Sequence, residues 1–532
     1  MRLKFLFIIA LIVGPVVFGA EKPNAERPNI LIILADDLGF SDLGCYGSEI
    51  PTPNLDRLAA GGVRFTQFYN TGRCCPSRAS LLTGLHPHQA GVGDMVDEYA
   101  RKVREQLASP AYTDHLSTQT PTMAEILRTN GYRTGMAGKW HLGYERPHWP
   151  VDRGFERSFT VLHGAMNYWG NGVQNAAEVR ELPMALDGER FVPPQEGLFA
   201  TDAFTDFAVK FVKEQQKGGK PFLFYLAYNA PHWPLHALPE DIERHRGKYR
   251  DGWDVVRGKR HQRLIEAGII TKETALAPRP ASVPAWDTLS PEQRDDWDLR
   301  MAIYAAQIEH MDRGIGSVLE ALRAQGAERN TLVIFLSDNG GAAENPRRSV
   351  QGAKLGTRES YEGYGVRGAH VSSAPMRLQK QTVHEGGIAT PFIASWPGRI
   401  QPGITRELGF LPDIMATCLQ IAGTEFPKTF AGRETLPPEG VSLLPGLEGK
   451  PLPSRVLFFE HEGHRAVRQG RWKLVARHLE PWELYDMEAD RTELRDLAAT
   501  EPEKAAELSQ LYEASAARVG VKPWPGKKPA PK

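Results

Sequence analysis

Three stretches of this chain are apolar on both faces and stop abruptly on polar residues. Residues 29–35 (NILIILA) run into Asp36 and Asp37, residues 221–228 (PFLFYLAY) into Asn229, Pro231 and His232, and residues 331–336 (TLVIFL) into Ser337, Asp338 and Asn339. A weaker run at 133–137 leads to Lys139 and His141. Runs without polar alternation fit strands of a parallel sheet covered on both sides. Helical patterns lie between them. Asn54 is placed to cap a helix over 55–60 that closes on Gly61 and Gly62, residues 122–130 precede the 133 strand, and residues 298–325 form a long amphipathic stretch before the 331 strand. The alternation predicts an α/β fold with a doubly wound, mixed or parallel sheet. In such sheets ligands sit beyond the carboxyl ends of the strands, where all of these polar residues fall.

From about residue 455 the pattern changes to short segments (VLFFE, HRAVRQGRWKLVAR, PWELYDM) followed by a helix over 502–518. This predicts a smaller C-terminal α+β subdomain over 455–520, an antiparallel sheet plus a helix, with a tail at 521–532. The main domain then spans 27–450. Its charged, irregular segment 236–297 reads as an insertion, and the Gly-, Ser- and Arg-rich segment 341–380 as an extended loop near the site.

Composition narrows the partners. With 532 residues and 41% hydrophobic content, the chain can bury a large core. Lys+Arg and Asp+Glu both count 64, so no overall charge draws the molecule to nucleic acid or an anionic membrane, and any preference for anions must be local. Residues 1–20 carry Arg2 and Lys4, an apolar run and then Gly19 and Ala20, the layout of a signal peptide; a secreted or periplasmic protein is expected. No later segment reaches ~18 uninterrupted apolar residues, so no stable membrane span is expected. The only cysteines are Cys45, Cys74, Cys75 and Cys418, too few for a disulfide-held fold, and the adjacent pair calls for a chemical reason.

That reason lies in the string from Cys74 to Gly84, CCPSRASLLTG. It fits the pattern CxPSRxxxxTG when counted from Cys74 and fails at once from Cys75. Pro76 suits the first turn of a helix, so residue 74 sits at its amino end, where free N–H groups and the dipole favour an anion. Asp36-Asp37 and Asp338-Asn339 are hard oxygen ligands suited to Ca²⁺ or Mg²⁺. Further polar groups come from Lys139 and His141 in GKWHLG, His232 in NAPHWP and Lys380 in KQTVHEGG. Each alone reads as readily as a turn carboxylate, a solvated lysine or a core histidine; their joint position at strand ends favours a site.

On these strings the chain resembles the type I, formylglycine-dependent sulfatases of the alkaline phosphatase superfamily, with an arylsulfatase-A-like layout from about residue 28 into the C-terminal subdomain. The resemblance implies an alkaline-phosphatase-like sheet and a sulfuric ester hydrolase acting on sulfate monoesters. It implies that a formylglycine-generating maturation enzyme oxidises Cys74, and that Ca²⁺, rather than Mg²⁺, is held by Asp36, Asp37, residue 74, Asp338 and Asn339. Arg78 would orient the formylglycine hydrate, and Lys139, His232 and Lys380 would bind the sulfate ester. His141 would take a proton when the sulfated hydrate collapses, and His232 or Lys380 would assist the departing alcohol. Many relatives continue EGGxRxP, whereas this chain reads EGGIATP with Ala389 at the arginine position. Sulfated carbohydrate is the expected substrate, with pocket walls from 236–297, 163–169 and 461–465. A phosphonate or phosphodiester hydrolase using the same modified residue, or a non-catalytic glycan-binding homologue, are the alternatives.

Overall fold

The computed structural model describes residues 27–171, 184–194, 196–215 and 219–525. The leader at 1–20 and the end of the 521–532 tail lie outside them. Among the described residues the main sheet has ten strands: β1 (Asn29–Ala35), β2 (Val63–Tyr69), β3 (Arg133–Lys139), β4 (Arg157–Val161), β5 (Met184–Leu186), β6 (Glu189–Phe191), β7 (Phe222–Ala227), β8 (Thr331–Ser337), β9 (Ala389–Ser395) and β10 (Gly403–Phe410). Their order is β10-β2-β9-β8-β1-β7-β3-β4-β5-β6. The run from β8 to β4 is parallel, β9 lies antiparallel to both of its neighbours, and β5 and β6 extend the far edge antiparallel. The sheet is therefore mixed around a parallel centre.

β1 shows why an unbroken apolar run was needed. Leu31 and Ile33 face one hydrophobic core, and Ile30, Ile32 and Leu34 face another. The first core is roofed by helices Ala200–Gln215 and Pro291–Ala324, the second by Cys74–Thr83, Met123–Thr129 and Pro412–Ala422. Burial on both faces makes both sets of alternate positions apolar. Register then aligns the strand ends: Ala35 pairs with Ser337, and Ala227 pairs with both Leu34 and Gly138. The residues that follow these ends share one edge of the sheet.

Several boundaries differ from those expected. The long helix starts at Pro291, seven residues before 298, because Ser290 forms a capping box with Gln293; its first two turns are charged, so the apolar period is silent there. Asn54 is not a cap. The helix begins at Pro53, and the Asn54 side chain instead donates to the carbonyl and carboxylate of Asp312. The 133 strand runs on to Lys139. The 341–380 segment is not all extended; it contains the helix Gly365–Ser372. Residues 236–297 hold helices Pro239–Glu243 and Trp253–Glu266, with Tyr249 and Trp253 fully buried, so this segment adds core.

At the C-terminus, strands Val456–His461, His464–Gln469, Trp472–Ala476 and Glu483–Asp486 form a separate antiparallel sheet. Helix Pro502–Val519 covers it, packing Leu508, Tyr512 and Ala516 against Phe458, Val467 and Leu474. Among the described residues, no helix is long and apolar enough to cross a membrane.

Candidate active site

The carboxyl edge of the sheet is occupied by a dense, fully buried charge cluster. Asp36 follows β1 and is held there by its N–H donating to the Ala230 carbonyl (3.0 Å). Asp37 takes a left-handed backbone (φ 66°), and its N–H donates to Asp338 Oδ1 (3.2 Å). Asn339 Nδ2 donates to Asp37 Oδ1 (2.6 Å), which also accepts from Lys380 Nζ (2.7 Å). Lys139 Nζ donates to Asp36 Oδ2 (2.7 Å). The four residues read as ligands thus converge, with Lys139 and Lys380 bound into the same cluster.

The cluster is short of partners in one direction. Asp36 Oδ1, Asp37 Oδ2 and Asn339 Oδ1 are all buried without a hydrogen bond. Arg78 Nη2 stands 3.7 Å from Asp36 Oδ1 and His232 Nε2 3.4 Å from Asp37 Oδ2. Buried oxygens are nearly always paired, and an unpaired one costs about 1–3 kcal/mol. Burial pushes the Asp36 carboxyl well above its usual range and raises Asp37 too, although Lys139 and Lys380 pull in the other direction. Three bare hard oxygens beside a carboxylate fit a divalent cation with oxygen preference. Asp338 differs: its Oδ1 accepts from the Asp37 N–H, and its Oδ2 from Arg78 Nε (3.0 Å) and Nη2 (2.7 Å).

Above this floor, helix Cys74–Thr83 presents its first residue. Arg73 before it is extended, and Gly84 closes it in the left-handed region, as the signature requires. Ser77 Oγ accepts from the Thr71 N–H (3.1 Å), which ties the first turn to the loop after β2. Arg78 Nη1 donates to the Lys139 carbonyl (2.8 Å). Its guanidinium therefore orients Asp338 and the strand end in the unmodified chain. In the unmodified chain a hydrogen bond from Cys75, then the charges of Lys139, His141 and Lys380, hold the Cys74 thiol well below its usual pKa, while burial pushes Cys75 up. Cys74 Sγ, Cys75 Sγ and a ring nitrogen of His141 lie within 4.8 Å of one another.

His141 and His232 are prepared for different tasks. His141 Nε2 is bonded to Asp97 Oδ2 (2.9 Å), while Tyr144 donates its hydroxyl to Asp97 Oδ1 (2.6 Å). Nδ1 is buried without a hydrogen bond. Burial works against a charged His141, but Asp97 outweighs it and raises the imidazole; Asp97 in turn, despite its burial, is held by His141 at about 2. Gly164 makes room for the ring, since a Cβ there would sit 2.3 Å from His141 Cε1. His232 Nδ1 bonds the Trp233 carbonyl (2.6 Å), so Nδ1 carries the proton and Nε2 is bare. Burial, then Lys380 and Lys139, push His232 well below its usual pKa. Lys380 is raised against burial by Asp37 and Glu344, so it keeps its proton.

These groups open into a narrow pocket of about 80 Å³ whose lining includes Cys74, His141, His232 and Lys380. Its walls are Arg73, Met95, Asp97, Tyr99, His163, Trp233 and Glu344. No residue of 236–297 or 461–465 lines it, because the former packs on the long helix and the latter turns into the C-terminal sheet. Of the 163–169 segment, only His163, Gly164 and Ala165 contribute. Asp97, Arg73 and Glu344 went unread in the sequence. Arg73 and Glu344, joined by a 2.8 Å ion pair, do flank the cysteine and the Asp338-Asn339 pair, whereas Asp97 lies in a loop with no period or motif. Ala389 opens β9 opposite Tyr69, and the cations near Glu385 come from the C-terminal subdomain, Lys473 and Arg491.

Known proteins share this arrangement of chain. The sulfatase family model matches residues 28–424, and that of the N-sulphoglucosamine sulphohydrolase C-terminal region matches residues 377–515. An uncharacterized sulfatase of Schizosaccharomyces pombe is 34% identical over 529 residues, covering 94% of this chain and 95% of that protein. An arylsulfatase of Klebsiella aerogenes is 35% identical over 442 residues, covering 80% and 93%. Among solved structures, Ps i-CgsB in complex with k-i-k-neocarrahexaose superposes with a TM-score of 0.67 at 25% identity, covering 92% of this chain and 93% of that one.

Proposed function

The chain belongs to the sulfatase family and is a sulfatase, and we propose that it cleaves sulfate monoesters of carbohydrates with residue 74, matured to formylglycine, as its nucleophile. The observation that carries this reading is the set of bare, buried oxygens on Asp36, Asp37 and Asn339 beside two buried lysines, below the amino end of the signature helix. Hydrated formylglycine supplies two hydroxyls on one carbon, one to attack sulfur and one whose deprotonation lets sulfate leave. Ca²⁺, in preference to Mg²⁺, would be held by Asp36, Asp37, Asp338, Asn339 and residue 74, where it would supply Lewis-acid polarisation.

The side chains divide the remaining work. Lys139 and Lys380 place positive charge where the transferring sulfate gains negative charge. His141 turns its bare Nδ1 away from Asp97 and takes the proton of the second hydroxyl, with Asp97 steadying the imidazolium that results. The departing alcohol receives its proton from Lys380. His232 Nε2 has none to give while Nδ1 donates to the Trp233 carbonyl, so His232 positions the ester instead. Arg78 keeps Asp338 oriented.

The narrowness of the pocket supports a monoester whose sulfate enters while the rest of the molecule stays at the mouth. There Tyr99, 63% exposed, and Trp233 offer faces for a sugar ring. The oligosaccharide bound by the Ps i-CgsB relative agrees with that class. The leader composition supports export, with a formylglycine-generating enzyme as maturation partner. Turnover of an aryl sulfate against an aryl phosphodiester, followed by desulfation of defined sulfated saccharides, tests the reading. Faster sulfate release is expected, and a strong preference for the phosphodiester would overturn it. Chelation should lower turnover by about 10²-fold or more, restored by Ca²⁺.

A further inference from the structure

Outside the pocket floor, two further buried side chains, Asp94 and His461, lack hydrogen-bond partners among the described residues, and Glu462 lies beside them. Asp94 lies in the loop that leads to Asp97. His461 ends the first strand of the C-terminal sheet, and Glu462 follows it in the turn to His464. One ligand atom from each of Asp94, His461 and Glu462 falls within 4.8 Å of the others. Asp94 is 2% exposed and His461 fully buried. Neither carboxylate oxygen of Asp94 nor either ring nitrogen of His461 has a hydrogen bond. His461 Nε2 stands 3.5 Å from Glu462 Oε1, long for a hydrogen bond.

Neighbouring charges do not fill the gap. Arg73 pairs with Glu344 (2.8 Å) and directs Nε to Met95 Sδ (3.3 Å). Arg104 donates to the carbonyls of Met95 and Asp97. His88 is bonded to Glu460 (2.7 Å). A single shared proton would satisfy only two of the four bare atoms. A cation accepts lone pairs from all three side chains at once, and one imidazole with two carboxylates is a borderline donor set that suits Zn²⁺ better than Ca²⁺, which takes six to eight oxygens.

We propose that Asp94, His461 and Glu462 form a second divalent-cation site, of the zinc class, that ties the C-terminal subdomain to the wall of the active-site pocket. The three ligands leave a fourth position for water. The site shares no ligand with the pocket floor. Because Asp94 precedes Met95 and Asp97, a cation here anchors the segment that holds His141. It also gives the C-terminal hairpin a role in the active site although no residue of that hairpin lines the pocket.

The test uses the full chain, stripped by chelator, reloaded with Ca²⁺ and then with Zn²⁺, desalted and assayed for metal content. Zinc should be retained at one equivalent beside calcium, and Co²⁺ in its place should give the intense visible bands of a four-coordinate site with a nitrogen ligand. D94N and H461Q should weaken zinc retention at least about tenfold and abolish those bands while calcium content is unchanged. E462Q, at a more exposed position, serves as the variant least able to disturb folding and should also weaken zinc. Loss of all zinc from the unsubstituted chain on desalting, or zinc retention in D94N and E462Q equal to that of the unsubstituted chain, overturns the proposal.

Discussion

Two of the buried clusters of charged side chains in this chain differ in how completely their acceptors are occupied. Where the C-terminal subdomain meets the EGG segment, Lys473 Nζ reaches Glu385 Oε1 (2.9 Å) and Glu493 Oε1 (2.8 Å). Tyr69 donates its hydroxyl to Glu385 Oε2 (3.0 Å), and the Glu385 N–H donates to Glu493 Oε2 (3.0 Å). Three of these four carboxylate oxygens accept a hydrogen bond, and the fourth, Glu493 Oε1, sits against the Lys473 ammonium in the 2.8 Å ion pair. On the pocket floor Asp36, Asp37 and Asn339 are equally buried, yet each keeps one bare oxygen. Burial of charge is therefore common to structural and reactive clusters. Unfilled acceptor capacity marks the one arranged for a ligand.

That contrast breaks most sharply at residue 74. Cys74→Ala should lower turnover by about 10⁴-fold or more with an unchanged melting profile, because the nucleophile is gone while the fold's paired groups are intact. Cys75→Ala should retain activity. Equal loss in both would contradict the assignment, and peptide mass spectrometry would show which cysteine is oxidised.

Asp97→Asn should cost about 10²-fold in kcat with little change in stability. The carboxylate holds His141 above its usual pKa, so its removal lowers that pKa. If His141 is the base proposed above, the acid limb of the rate profile should move to lower pH. A profile that stays in place would reduce Asp97 to a packing residue.

Lys473→Met should leave kcat per folded molecule within about twofold, yet destabilise the chain by about 3–5 kcal/mol in denaturant titration, since two buried carboxylates lose their cation. Burial would raise Glu385, but Lys473 holds it below its ordinary value. Its stabilisation is therefore full above the unfolded carboxylate pKa and lost as pH falls through the lower folded one. Removing Lys473 should bring acid unfolding on at a higher pH. A loss of kcat as large as that of Asp97→Asn would erase the distinction between the clusters.

Much of the site was legible because its residues report locally. The β1 and β8 runs had to be apolar on alternate positions to face two cores, and a strand that ends must hand over to polar residues, which placed Asp36, Asp37, Asp338 and Asn339. The long helix was misjudged at its start because capping by Ser290 needs no apolar period. Asn54 misled because a side chain that suits a cap also suits a distant carboxylate, Asp312.

By itself, then, the chain's order of residues determined the sheet, which cysteine is proposed to be modified and the residues gathered at the strand ends. Strand periodicity and motif spacing are properties of neighbours in sequence. Only tertiary packing decided that Asp97 meets His141 across 44 positions, that Arg78 meets Asp338 across 260, and that Asp94 meets His461 from another subdomain. Such pairings depend on which loops the packed helices bring to one edge, and no local pattern carries that information.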